Sequence, residues 1–86
     1  MRYGTSKQFN KQFSKLPKSV KIKAIERLGI FILEPFDQIL NNHPLKGRWQ
    51  GSRSINITSD IRAVYELVKK DFAYFVAIGS HSELYE

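Results

Sequence analysis

IRAVYELVKKDFAYFVAI, residues 61–78, is the stretch that decides the fold. Ile61 to Val68 is rich in β-branched and aromatic residues, and Phe72 to Ile78 is almost wholly apolar. Runs of this composition bounded by turn residues read as strands. Lys69-Lys70-Asp71 between them reads as a hairpin turn, and a link this short implies antiparallel neighbours. The unbroken apolar second run is what a central strand covered on both faces requires.

Working outward, Arg53 to Thr58 alternates, with Ile55 and Ile57 on one side and Ser54, Asn56 and Thr58 on the other. Ser59-Asp60 breaks it. Before it, Pro35 to Gly51 carries Pro35, Pro44, Gly47 and Gly51, so mostly irregular chain is expected. Further upstream the period changes. Phe9, Phe13 and Leu16 follow helical spacing after the capping residues Thr5 and Ser6, with Lys7, Lys11 and Lys15 in a separate basic row. Pro17 ends that helix and suits the first turn of a second. The second helix has Val20, Ala24, Ile25, Leu28, Phe31 and Ile32 as its apolar stripe and stops at Pro35. Met1 to Gly4 reads as a short edge strand. The expected fold is α+β: one domain, residues 1–86, with an N-terminal helical hairpin packed on one face of a small twisted antiparallel sheet. The other face is expected to be free for binding.

Composition narrows the function. The chain has no cysteine, which removes disulfides and thiolate metal sites and fits a reducing cytoplasm. No apolar run approaches the roughly 20 residues of a membrane span, and the start lacks the apolar stretch of a signal peptide. Net charge is +6, and Arg2, Lys7, Lys11, Lys15, Lys18, Lys21 and Lys23 all precede the first acid, Glu26. A solvated helix face accounts for any single lysine. The one-signed bias raises the odds of a polyanionic partner, nucleic acid or an acidic protein.

Chemistry-bearing side chains gather in the second half: His43, Lys46, Arg48, Arg53, Asp60, Arg62, His81 and Tyr85. Each has an ordinary explanation. Asp60 suits a turn, Arg62 could pair with Glu66 on its strand, and Tyr85 could pin the tail. Together they supply the parts for metal-free RNA cleavage. One group takes the proton of a 2′-hydroxyl, another protonates the leaving 5′-oxygen, and cations hold the phosphate. A histidine suits either proton role, since imidazole changes charge between about pH 5 and 8. An arginine fork matches phosphate oxygens and keeps its charge. An aromatic ring can stack on an unpaired base. No phosphate-cradling Gly-rich loop, H-E-x-x-H pair or G-x-S-x-G elbow is present, and no cofactor is implied.

The motifs HPLKGRWQG (43–51), RSINITSDIRAVYE (53–66) and IGSHSELY (78–85), after KQFNKQFSKL (7–16), resemble the RelE/ParE superfamily of bacterial toxins, and most closely its YafQ-like branch. The resemblance spans almost the whole chain. It implies two helices against a twisted antiparallel sheet, and a ribosome-dependent endoribonuclease that cuts mRNA in the A site and is neutralised by a cognate antitoxin. Motif by motif it implies that His81 is the principal catalytic histidine, with His43 and Asp60 as further site residues. Tyr85 is then the aromatic beside the scissile nucleotide. Arg62, in D-x-R, takes the place of a phosphate-contacting arginine. Lys46, Arg48, Arg53 and Asn56 complete the expected RNA surface. Asn56 departs from the branch, which commonly has histidine there; asparagine can hydrogen-bond but cannot shuttle a proton. Two rival expectations follow: a non-enzymatic gyrase-binding toxin of the ParE type, which the histidine-bearing tail argues against, and a catalytically degenerate homologue that only binds its antitoxin.

Overall fold

A computed structural model describes residues 1–85. The chain runs β1 (Arg2–Thr5), α1 (Lys7–Ser14), α2 (Lys18–Leu33), β2 (His43–Pro44), β3 (Arg53–Asn56), β4 (Ile61–Lys69), β5 (Phe72–Ser80) and α3 (His81–Tyr85). Single 3-10 turns, Gln38–Leu40 and Gly47–Trp49, stand on either side of β2, so the segment expected to be irregular also carries an edge strand. The five strands lie in the order β1-β5-β4-β3-β2.

Three of the four pairings are antiparallel, and β1 lies parallel to β5. The sheet is therefore mixed, where a wholly antiparallel one was expected. The hairpin rule governs strands joined by short links. β1 and β5 are joined through both helices and the rest of the sheet, and so long a connection permits parallel pairing.

α1 starts where its capping residue places it. Ser6 Oγ accepts the Phe9 N–H at 3.0 Å and donates to the Val76 carbonyl at 3.1 Å. Gln12 Oε1 accepts the Ile78 N–H at 3.0 Å. Since β1 ends at Thr5, opposite Phe75, these two side chains satisfy the outer edge of β5 beyond the reach of the ladder. In α2, Ala24, Leu28 and Phe31 face the core. Ile25 and Ile32, expected in the same stripe, are exposed, Ile25 by 64%. Each follows a core residue by one position, a turn of about 100° around the helix, which carries it off the buried face.

The main core lies between the helices and the sheet. Phe31, Tyr65 and Phe75 pack with centroids 5.0–5.2 Å apart. Ile55, Ile57, Ala63 and Ile78 extend this core. The register explains how β5 serves two cores. Val64 lies opposite Ala77, but Tyr65 lies opposite Phe75, so Val76 is an extra residue, a β-bulge. The bulge shifts the alternation by one. Ala73, Phe75 and Ile78 join the helix side, while Ala77 joins Val64 and Leu84 on the other side.

The second face is accordingly not left free. Val64, Ala77 and Leu84 form a small core, with Leu45, Trp49 and Tyr85 packed against it. Gly79 makes room for this cover. A Cβ there would meet Glu83 Oε1 at 3.2 Å and Leu84 Cδ2 at 3.5 Å. Among the described residues, no helix is long and apolar enough to cross a membrane.

Candidate active site

The site is built on this second face, where the sheet runs into α3. β3 and β4 pair Asn56 opposite Arg62, and β5 places Gly79 on the other side of Arg62. One row on, His43 lies opposite Ser54. Residues directly opposite in a ladder share a face, so the register brings His43, Ser54, Asn56 and Arg62 to one side.

The tail crosses that side under several directional restraints. Ser80 and Glu83 form a reciprocal capping box: the Ser80 N–H donates to Glu83 Oε1 at 2.8 Å, and the Glu83 N–H donates to Ser80 Oγ at 3.2 Å. The Ser80 N–H, with its hydroxyl adding to the effect, holds the Glu83 carboxyl below the usual carboxylate range. At the other end of α3, Trp49 Nε1 donates to the Leu84 carbonyl at 2.7 Å. The Tyr85 hydroxyl donates to Ser54 Oγ at 3.2 Å. A five-residue helix is far too short to persist alone; these bonds and buried Leu84 hold it.

His81 opens α3 and is exposed. Its backbone N–H donates to the Asp60 carbonyl at 3.0 Å, which ties the tail to the β3–β4 turn. Its imidazole packs edge-on against the Tyr85 ring at 4.6 Å. Asp60 is exposed in a turn organised by Thr58, whose Oγ1 accepts the Asp60 and Ile61 N–H groups at 3.2 and 3.0 Å.

Arg62 Nη1 donates to the Thr58 and Ser59 carbonyls, both at 3.0 Å. Pairing with Glu66 is not what holds it. One corner of the guanidinium is thereby fixed under the turn. His43 Nδ1 lies 2.7 Å from the Asn41 carbonyl. A carbonyl only accepts, so Nδ1 carries the proton and Nε2 of the neutral ring is the open acceptor. Asn56 is half-buried, and its Oδ1 is buried without a hydrogen-bond partner among the described residues.

Lys46 and Arg48 are exposed on the loop between β2 and β3, with the Arg48 guanidinium 5.5 Å from the centre of the Trp49 ring. Arg53 is not brought to this face. It alternates away from Ser54 and Asn56, its Nε donates to Asn42 Oδ1 at 2.8 Å, and it lies 5.2 Å over the Phe36 ring. Four residues that matter to the site's geometry were not singled out in the sequence: Trp49, Ser54, Ser80 and Glu83. The S-x-x-E spacing of Ser80 and Glu83 is a legible capping signal. Trp49 and Ser54 act through contacts distant in sequence, which carry no local signal.

The fold is that of toxins from bacterial type II toxin–antitoxin modules of the RelE superfamily. YafQ from E. coli superposes with a TM-score of 0.79 at 23% identity, with each chain covered in full. The E. coli DinJ–YafQ toxin–antitoxin complex matches at 0.75 and 23% identity, over 98% of this chain and 96% of that one. A copper-bound mutant toxin from Helicobacter pylori matches at 0.69 with 34% identity, over 99% of each chain. Comparison with curated protein sequences gives no match. The chain belongs to the YafQ family: the model described as "Bacterial toxin of type II toxin-antitoxin system, YafQ" matches residues 1–86.

Proposed function

We propose that this YafQ-type toxin is a ribosome-dependent mRNA endonuclease, neutralised by a cognate antitoxin as E. coli YafQ is bound by DinJ. The observation that carries the reading is His81: an exposed imidazole on a helix pinned at both ends, packed edge-on against Tyr85 and joined through its backbone to Asp60. Catalytic groups need this kind of preorganisation more than they need proximity in sequence.

In the reaction, a base removes the 2′-hydroxyl proton, the 2′-oxygen attacks the adjacent phosphorus, and the 5′-oxygen leaves as it takes a proton. The products are a cyclic phosphate and a 5′-hydroxyl. His81 and Asp60 are the proton-transfer pair, and His43 Nε2 is a further acceptor. Arg62 supplies donors to the phosphate, and Lys46 and Arg48 add positive charge around it. Tyr85 stacks on the base. Asn56 contributes a hydrogen bond where a proton carrier would otherwise stand.

Single-turnover cleavage of mRNA on programmed ribosomes tests this. His81→Ala is expected to slow cleavage by roughly 10²–10⁴-fold, and Arg62→Ala to slow it comparably. Wild-type-like rates in both variants overturn the assignment. A wild-type chain that cuts nothing but binds its antitoxin points instead to the degenerate reading, for which Asn56 is the motive.

A further inference from the structure

Arg27 is an arginine that the fold half swallows and does not satisfy. It lies on α2 beside the core positions, its side chain only 14% exposed. Nε and Nη1 are fully buried and have no hydrogen-bond partner among the described residues. The Glu26 carboxylate oxygen Oε1 is 3.8 Å from Nε, outside hydrogen-bonding distance, and is drawn also toward Lys23 Nζ at 3.6 Å. Buried guanidinium donors without acceptors are costly. Such groups in a stable fold mark a place for an ordered water or ion.

The space for one exists. A pocket of about 370 Å³ opens here, lined by Lys23, Arg27, Ile39, Asn56, Thr58 and Ser59 among others. Its walls offer an ammonium, a guanidinium and two hydroxyl-bearing residues, and among the described residues no acid lines it. That donor set fits an oxyanion with several acceptors. Water can fill the pocket, but an anion also brings a charge opposite to those of Lys23 and Arg27.

The location selects the anion. Thr58 and Ser59, which line the pocket, also present the carbonyls that fix Arg62, and the next residue, Asp60, bonds the His81 backbone. Asn56 lines the pocket and also lies opposite Arg62, so the pocket and the candidate active site adjoin at this turn. We propose that the Lys23–Arg27 pocket is a second phosphate site, which takes a phosphodiester of RNA whose backbone crosses the β3–β4 turn from Arg62. The proposal rests on the nuclease reading only for the identity of the polyanion. It adds to the cleavage site a contact that positions RNA and carries no sequence information.

The Nε–H resonances of the arginines in isotope-labelled protein report on this directly. The titrants are inorganic phosphate, a short all-uridine RNA and, as a contrast, polyglutamate. The Arg27 signal is expected to shift saturably with phosphate and with the RNA. Arg27→Leu, which keeps apolar bulk, is expected to weaken RNA binding about ten-fold. It is also expected to lower the slope of log affinity against log salt by about one. Glu26→Gln removes the carboxylate that competes for both cations and is expected to tighten RNA binding by about two- to five-fold. That surface variant keeps the test decisive if Arg27→Leu folds poorly.

An Arg27 signal that moves only with polyglutamate assigns the pocket to an acidic peptide and overturns the proposal. So does a signal that moves with none of the three, or unchanged affinity in both variants. Binding is read without ribosomes. The inference therefore survives a chain that cuts nothing, and it falls if the chain cuts mRNA while Arg27 stays silent.

Discussion

The two faces of the sheet are held by different physics. Under the helices, Phe9, Phe31, Leu40, Ile55, Tyr65 and Phe75 are buried together, and beyond ring geometry the directional contact to these side chains is the Asn42 Nδ2 bond to the Tyr65 hydroxyl, at 2.8 Å. Across the sheet only Val64, Ala77 and Leu84 are buried among the described residues of that cluster, and specific hydrogen bonds from Trp49, Ser80, Glu83 and Tyr85 do what apolar area cannot. Burial is roughly proportional to area and tolerates shifts in position. A hydrogen bond is worth little net but is lost within an ångström. The first face therefore sets whether the chain folds, and the second sets where His81 sits.

Removing a ring from the first face breaks the comparison most severely. Phe31 is fully buried and contacts the rings of both Tyr65 and Phe75. Phe31→Ala is expected to cost about 3–5 kcal/mol, a large share of the roughly 5–15 kcal/mol that a small domain has in total. Urea unfolding measures it. A loss below about 1 kcal/mol would mean that the helix-side core does not carry the stability.

Trp49 probes the second face. Trp49→Phe keeps most of the ring but deletes the N–H that reaches the Leu84 carbonyl. Leaving that carbonyl unmet is expected to cost about 1–3 kcal/mol, spent mainly on α3 rather than on the whole fold. Hydrogen exchange should accelerate at Leu84 and Tyr85 while the amides of β4 and β5 stay protected. Uniform acceleration across the sheet would show that the two faces are one cooperative unit.

This division also decides what could be read without a structure. The helical hairpin, β3, β4, β5 and their order were legible because each buries an apolar pattern of its own period. β1 was legible as a strand, but its parallel partner was not, because pairing between chain ends leaves no local trace. The bulge at Val76 was hidden for a related reason. Phe72 to Ile78 is apolar throughout, so no alternation marks where the register slips. On the site, His81 and Tyr85 four residues apart gave their shared side directly. Arg53 was grouped with the site by residue type alone. Its alternation with Ser54 and Asn56 already placed it on the other face, where Asn42 and Phe36 occupy it.

The smallest expected effect separates the two faces most cleanly, because it touches only α3. Glu83 has its carboxyl held below the ordinary value of 4.5 by the Ser80 N–H and hydroxyl. A depressed folded-state value means that the ionised carboxylate favours the capped tail. That contribution is fully present above the unfolded value and is lost as pH falls through the folded one. Acidification should therefore loosen α3 with a midpoint below 4.5 and leave the helix-side core unchanged. The Ser80 amide resonance follows the cap directly, and the exchange of β4 amides serves as the control. In Glu83→Gln the side-chain oxygen still accepts the Ser80 N–H but no longer titrates, so the transition should vanish while the cap persists. A midpoint at the ordinary carboxylate value, or a transition that survives in the glutamine variant, would show that the Ser80–Glu83 bonds do not order the helix that carries His81.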